Sequence, residues 1–164
     1  MAVVCYQSKT NITLIQLWTE NNGHWYLKQT LVFTEKNPLL YVTWSDRINQ
    51  FDEKKLIYLT TKELTFCLFN WCVNHSRGKT VDDKVVIGVI DGNNILVTGF
   101  KDGIIPPPMA HQYLHTSESQ NAIVFAPEIN DKPSLINSNE FCTVSCNNKL
   151  TFFKQIKVIC FNKK

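Results

Sequence analysis

The sequence lacks the features that mark several large classes of protein. It contains no long apolar run free of charged residues, so no transmembrane segment is predicted. The amino-terminal segment, MAVVCYQSKT, does not have the basic-then-apolar layout of a signal peptide, which argues against secretion. Seventeen basic and fourteen acidic residues give a formal net charge of only +3 and are well scattered, so no nucleic-acid surface is predicted.

Cysteine is present six times, but never with C-x-x-C spacing. Because secretion is not expected, we predict a cytoplasmic, reducing environment and assume no disulfides. Cys142 and Cys146 are four residues apart on one predicted strand, where they would face the same side but be too far apart to bind one zinc ion as a close pair does. We predict that both are small, buried side chains.

Signatures of catalysis are also sparse. The glycines form no phosphate-binding loop followed by a helix. His111 and His115 have the spacing of a metal-binding pair on a helix, but the glutamate that would act as a base is missing and three prolines stand just upstream. We therefore place both histidines on a surface strand or loop. Asp82 and Asp83 are predicted to keep a loop soluble.

Residues that form β-strands are abundant. The chain has room for one domain, and 44% hydrophobic residues, with ten Phe, five Tyr and four Trp, suffice for a packed core. No long segment shows apolar residues at a helical period with caps, so few helices are expected. Besides the hairpin described next, predicted strands cover residues 12–18, 25–33, 39–46, 55–61, 64–71, 111–115, 122–127, 141–146, 149–153 and 157–161, with loops at 72–84 and 128–139.

Residues 85–109 contain the segment around which we expect the other strands to be organised. Two apolar, β-branched runs, 85–90 and 95–100, flank a turn formed by Asp91, Gly92, Asn93 and Asn94, which predicts a β-hairpin. Because the runs are apolar nearly throughout, both faces of the hairpin should be covered. Asp91 is expected to bond amides of its own turn. Strand pairing should stop at three prolines without amide hydrogens, Pro106, Pro107 and Pro108.

Residues 25–33 mix polar and apolar side chains, which predicts an outer, half-exposed strand. Tryptophans stand at predicted strand ends, one in each sheet unit, and we interpret them as packing residues rather than as platforms for nucleic-acid bases. These structural tryptophans include Trp18, Trp44 and Trp71.

An internal repeat relates residues 41–71 to residues 123–153. Leu64-Thr65-Phe66 corresponds to Leu150-Thr151-Phe152, and Trp44-Ser45 corresponds to Phe125-Ala126. The first strands of successive units are spaced as in a four-stranded propeller blade. We therefore predict an all-β, WD40-like β-propeller of three to four blades, an incomplete ring, with a sandwich or barrel as the main rival. The predicted blades cover about 1–33 (a remnant), 39–84, 85–116 and 121–162.

Specific segments of the sequence also resemble a known family. The phrase HWYLKQ at residues 24–29, the IDGN turn at 90–93 and the triple proline followed by Met109 resemble the amino-terminal WD40 region of the largest subunit of the Elongator complex. A weaker likeness in strand order covers nearly the whole chain. By this resemblance the chain is expected to be a fragment of that subunit.

The resemblance implies a scaffold subunit in which propellers precede a helical solenoid and a dimerising tail. Its expected partners are the other Elongator subunits, including the catalytic subunit and the second WD40 subunit, and transfer RNA only through the complex. Modification of the wobble uridine would be carried out by the separate catalytic subunit, which uses S-adenosylmethionine, an iron–sulfur cluster and acetyl-CoA. Homodimerisation is implied for the full-length parent alone, and the nucleus is a second expected location.

Two other functions remain open at this stage. One is a small metal-dependent hydrolase in which His111, His115 and an aspartate converge. The other is a nucleic-acid-binding β module, whose affinity would fall steeply with salt. We favour the non-catalytic scaffold, with no cofactor and no metal bound by this chain.

Overall fold

Strands account for all the regular secondary structure in residues 1–45, 54–69, 73–76, 85–99, 105, 108–126 and 140–154, which a computed structural model describes. Within these ranges no helix is found, and therefore none that could span a membrane. The strands are β1 (Ala2–Gln7), β2 (Ile12–Asn21), β3 (His24–Phe33), β4 (Leu39–Trp44), β5 (Lys54–Thr60), β6 (Leu64–Phe69), β7 (Asn74–His75), β8 (Val86–Asp91), β9 (Asn94–Gly99), β10 (Gln112–His115), β11 (Gln120–Phe125), β12 (Phe141–Ser145) and β13 (Leu150–Phe153).

These strands form four small sheets. Their orders are β1-β2-β3, β4-β5-β6, β10-β9-β8-β7 and β11-β12-β13. The contacts divide the chain into two compact units: residues 1–2, 16–30 and 73–164 form the first, and residues 3–15 and 31–72 form the second.

The predicted central hairpin is present as β8 and β9. Asp91 pairs with Asn94, so the loop contains only Gly92 and Asn93 and is two residues shorter than the sequence suggested. Gly92 has a φ of +61°, a conformation in which a residue without Cβ is strongly favoured. No side chain of β8 or β9 is exposed, which confirms that both faces of the hairpin are covered.

One face of this hairpin contributes to the core of the first unit. Val86, Ile90, Ile95 and Val97 pack there with residues of the sheet β11-β12-β13, namely Ile123 and Phe141. At Gly88 a Cβ would lie 3.1 Å from Ile123 Cδ1, closer than ordinary van der Waals contact. Because Gly88 has no side chain, the two sheets can approach closely at this point.

A second hairpin joins β2 to β3 through Asn22 and Gly23, whose φ values are +52° and +70°. Positive φ at both loop positions is typical of a type I′ turn, for which Asn-Gly is the favoured sequence. The turn therefore begins after Asn21, so Trp18 lies within β2 and not at its end. The predicted outer position of β3 is confirmed, because β3 ends the order β1-β2-β3. The strand is more buried than the half-exposed character predicted, because Tyr26, Leu27, Thr30 and Phe33 are all buried.

In the second unit, aromatic rings pack around the sheet β4-β5-β6. Trp44 ends β4, and its ring packs edge-on to Phe69 with centroids 6.1 Å apart. Phe33 and Tyr58 form a similar pair at 5.2 Å, and Leu56 of β5 is fully buried. Phe33 is buried and the other three rings are half-buried, and edge-on contacts of this kind add to the stability of a sheet face.

The internal repeat is confirmed residue by residue. Trp44 pairs with Leu56 as Phe125 pairs with Phe141, and β4 and β11 carry register shifts at equivalent positions. The following turns also match, because the hydroxyl of Thr60 accepts bonds from two backbone amides, as the hydroxyl of Ser145 does. The sheets β4-β5-β6 and β11-β12-β13 are therefore copies of one structural unit.

Other predictions need correction or fall outside the described residues. The predicted surface loop 72–84 contains β7, which pairs with β8, and Ser76 is buried with its hydroxyl accepting a bond from the Val86 amide at 2.8 Å. The expected blade boundary at 84/85 thus does not coincide with a sheet boundary, and the division into blades stays a prediction.

The outer strand expected at 111–115 is confirmed as β10. Predictions for Pro106, Pro107, Trp71, Asp82, Asp83, Cys72, Cys160, and for residues 128–139 and 157–161, lie outside the described residues.

Candidate interaction site

The turn between β8 and β9 is bonded to the outer edge of β3. The Gly92 amide donates to the Leu27 carbonyl at 2.7 Å, and the Leu27 amide donates to Asp91 Oδ1 at 3.0 Å. Because β3 ends the sheet order β1-β2-β3, its outward backbone groups would otherwise lack strand partners. The turn supplies these partners without continuing the sheet.

Asp91 also bonds a side chain of β3. Its Oδ2 lies 2.9 Å from His24 Nε2, and the imidazole N–H donates this hydrogen bond. His24 is 39% exposed and Asp91 21% exposed, so the pair remains accessible to water. The expectation that Asp91 bonds amides of its own turn is therefore wrong, because its carboxylate bonds β3, more than sixty positions earlier in the chain.

A lysine adds a third connection between β3 and the hairpin. Lys28 Nζ donates to the Ile90 carbonyl at 2.9 Å and lies 4.4 Å from the centre of the Tyr26 ring. Burial lowers the pKa of Lys28 to about 8, an effect that the negative charge of Asp91 partly opposes. Burial and, to a lesser extent, the Asp91 charge also raise the pKa of Tyr26.

Next to the His24–Asp91 pair lies a cleft of about 260 Å³. Asp91, Asn94, Leu96 and Tyr113 share one face of the sheet, because Asp91 pairs with Asn94 and Leu96 pairs with Tyr113 in neighbouring strands. The cleft is lined by these four residues together with His24, Pro108 and Met109.

Part of the cleft wall is formed by Pro108, Met109 and the ring of Tyr113, and a hydrogen bond fixes this ring. The Tyr113 hydroxyl donates to the Pro108 carbonyl at 3.2 Å, which holds the Tyr113 ring beside the turn at Pro108. Tyr113 is 59% exposed and Met109 is also exposed, so the cleft opens to solvent. It therefore combines one carboxylate, one imidazole and an aromatic wall.

The three segments that carry the family resemblance meet at this cleft. His24 begins the phrase HWYLKQ, Asp91 belongs to the IDGN turn, and Pro108 with Met109 ends the proline motif. Three polar side chains of these segments, His24, Lys28 and Asp91, form bonds between β3 and the hairpin. The main role of these motifs is thus to hold one sheet against another. Those of their residues that face solvent line the cleft.

In the described part of the chain, the two histidines considered for metal binding bond other partners. His111 Nδ1 accepts a bond from the Gly99 amide at 3.2 Å, and His115 Nδ1 lies 3.0 Å from Asn94 Oδ1. Among the described residues no three His, Cys, Asp or Glu side chains are grouped to hold a metal ion. Cys142 and Cys146 are half-buried free thiols, and Cys146 lies in the turn after β12 rather than on the strand.

Some residues of the site were not singled out by the sequence. Lys28 belongs to the predicted strand 25–33, whose mixed pattern indicated only an outer strand, and His24 lies just before that predicted strand. Tyr113 was placed only on an outer strand. The signal that could have identified them is proximity in sequence to the resembling motifs, since His24 and Lys28 both belong to HWYLKQ.

The fold defines a class of protein: an all-β chain of small antiparallel sheets, built from repeated three- and four-stranded units, is an incomplete β-propeller. Two family models match it. The model described as the first N-terminal beta-propeller of ELP1 matches residues 1–47, and that of the N-terminal second beta-propeller of ELP1 matches residues 89–160.

Individual relatives agree with these matches. Elongator complex protein 1 of Mus musculus is 32% identical over 154 residues, which cover 92% of this chain and 11% of the relative. The protein of the same name from Drosophila melanogaster is 32% identical over 67% of this chain and 8% of the relative, and that from Saccharomyces cerevisiae is 29% identical over 62% of this chain and 7% of the relative. The chain belongs to the Elongator complex protein 1 family, and it spans about a tenth of the length of the curated relatives it matches.

Proposed function

We propose that this chain is a non-catalytic scaffold segment of the Elongator complex, which supports 5-carboxymethyluridine-type modification of the transfer-RNA wobble uridine through protein–protein contacts. The proposal rests on the matches to two successive propellers of Elongator complex protein 1. Propellers act as interaction platforms, in which sheets hold loops and rims in fixed positions for other proteins.

One structural observation supports the scaffold role over catalysis. The polar side chains that gather around β3 bond backbone groups of a neighbouring sheet: Asp91 bonds the Leu27 amide, Lys28 bonds the Ile90 carbonyl, and Asn121 bonds Thr30. Side chains used in this way fix one sheet against another. A catalytic group would instead need a partner that activates it towards a substrate.

The proposed partners are the other Elongator subunits, including the catalytic subunit and the second WD40 subunit. Transfer RNA would be contacted through the complex, and homodimerisation would belong to the full-length parent. The location that suits this role is the cytoplasm, with the nucleus as a second site. The metal-dependent hydrolase is not favoured, because His111 and His115 bond Gly99 and Asn94 instead of converging.

The proposal is tested with the full-length parent protein in cells. A tagged parent should co-purify with the other Elongator subunits, and its loss should lower 5-carboxymethyluridine-type nucleosides in transfer RNA, measured by mass spectrometry. The parent purified without the catalytic subunit should form none of these nucleosides. A parent that associates with no Elongator subunit would refute the scaffold proposal, and modification by the isolated parent would show an enzyme.

A further inference from the structure

We infer that the cleft between His24 and Tyr113 receives an arginine side chain of a protein partner. The inference rests on the proposed scaffold function, to which it adds the chemistry of one contact. The charge, the walls and the size of the cleft all support it.

The charge of the cleft favours a cation. Among the described residues that line the cleft, Asp91 is the only one that bears a negative charge, and none is a lysine or arginine. The carboxylate accepts one bond from Leu27 on Oδ1 and one from His24 on Oδ2. Each carboxylate oxygen has two lone pairs, so Asp91 can accept further bonds from a guanidinium group.

The walls of the cleft match the rest of an arginine side chain. Leu96, Pro108 and Met109 provide apolar surface for its three methylene groups. The Tyr113 ring is exposed and is held by its bond to Pro108, so its face is available to a planar cation. A lysine would gain the charge contact but would lack a plane to lie against the ring.

The size of the cleft indicates a side chain and not a cofactor. Its volume of about 260 Å³ is below the range of roughly 300–1,000 Å³ in which small-molecule ligands are usually held. It is also open, as the exposure of Tyr113 and Met109 shows. A long side chain that enters from a partner surface would be covered by the partner itself.

The test measures binding of short peptides to the complete 164-residue chain by NMR line broadening of the peptide. The probes are acetyl-Gly-Arg-Gly-amide, its citrulline counterpart, which keeps the shape but loses the charge, and its lysine counterpart. The arginine peptide should bind saturably. The citrulline peptide should bind at least about tenfold more weakly, as expected for the loss of one charged hydrogen bond. The lysine peptide should fall between the two.

Two cleft variants have matched controls. D91N keeps an oxygen that can accept the Leu27 amide, and Y113A removes an exposed ring from an edge strand; each should weaken arginine binding about tenfold. E35Q and Y41A, which alter exposed residues of the second unit, should leave binding unchanged. Circular dichroism and thermal melts establish that each variant is folded.

Equal binding of the arginine and citrulline peptides, or arginine binding that survives both cleft variants, would overturn the inference. Equal binding of the lysine peptide would overturn the choice of arginine. Either failure is distinct from failure of the scaffold proposal, since co-purification of the parent with Elongator subunits does not depend on this cleft being occupied.

Discussion

The side-chain amide of Asn121 forms both hydrogen bonds that a neighbouring strand would offer to Thr30. The Thr30 amide donates to Asn121 Oδ1 at 2.8 Å, and Asn121 Nδ2 donates to the Thr30 carbonyl at 2.9 Å. One residue of β11 thus satisfies both backbone groups at the edge of β3, as the turn at Gly92 does for Leu27. An edge strand treated in this way cannot extend its sheet at these positions, because its bonding groups are already occupied.

Replacing Asn121 by alanine should destabilise the chain. Two buried backbone groups of Thr30 would lose their partners, and the expected loss in free energy of unfolding is about 1–3 kcal/mol. The measurement is urea denaturation followed by tryptophan fluorescence. As a control, Asn21→Ala removes an exposed amide from the end of β2 and should change the free energy by less than about 0.5 kcal/mol. Equal effects of the two substitutions would contradict the role given to Asn121.

Substitution of Gly92 should reveal two separable costs. Gly92→Ala forces an alanine to adopt a positive φ, which should lower the free energy of unfolding by about 1–2 kcal/mol. It also places the new Cβ 3.3 Å from Leu27 Cδ2. Gly23→Ala has the same conformational cost but meets no atom within 4 Å. Thermal melts should therefore show a larger loss for Gly92→Ala than for Gly23→Ala, and the largest for Gly92→Val. Unchanged stability of Gly92→Val would refute the turn geometry.

The stability of the chain should depend on pH through Lys28. The folded chain holds the pKa of this lysine at about 8, below its ordinary 10.5, so the unfolded chain binds more protons between these two values. The contribution of Lys28 to the free energy of unfolding therefore rises as pH increases from about 8 towards 10.5. Below pH 8 the contribution is at its least favourable, because the buried amine is charged.

The variant Lys28→Met should lack this part of the pH dependence. Urea denaturation at a series of pH values between 7 and about 10 compares it with the unmodified chain and with Lys36→Met, which alters an exposed lysine. The curves of Lys36→Met and the unmodified chain should keep the same slope, and that of Lys28→Met should be flatter. Parallel curves for all three proteins would contradict a lowered pKa of Lys28 in the folded chain.

Two phenylalanines on adjacent strands provide a further comparison. Phe141 in β12 is 3% exposed and belongs to the core, whereas Phe152 in β13 is 70% exposed. Phe141→Ala should cost about 3–5 kcal/mol, and Phe152→Ala less than about 1 kcal/mol. Phe152→Ala should also reduce self-association in analytical ultracentrifugation, because exposed apolar residues promote it. A large loss of stability in Phe152→Ala would show that the face of β13 that carries Phe152 is covered.

Local features of the fold could be predicted from the sequence because neighbouring residues determine them. The hairpin of β8 and β9 follows from two β-branched runs around Gly92, and the repeat follows from the recurrence of Leu-Thr-Phe at 64–66 and 150–152. The strand β7 was missed because two residues carry no periodicity. The predicted strands 12–18 and 25–33 leave six residues for the turn before β3, whereas Asn22-Gly23 alone forms it.

The candidate site could not be predicted in the same way. The bond between His24 and Asp91 joins residues 67 positions apart, and the bonds of Asn121 to Thr30 span 91 positions. Such contacts depend on how one sheet packs against another, and no local pattern of polar and apolar residues encodes this packing. Asp91 illustrates the difference: its position in a turn was predictable, whereas the strand that its carboxylate bonds was not.

Amide hydrogen exchange of the complete chain, resolved by NMR, is the most direct test of the claim that these polar side chains hold β3 to the neighbouring sheets. The Leu27 and Thr30 amides should exchange slowly in the unmodified chain. Asp91→Ala should speed exchange at Leu27, and Asn121→Ala should speed exchange at Thr30, each more than at the other position. Leu27 and Thr30 amides that exchange in the unmodified chain as fast as those of an exposed loop would contradict the account.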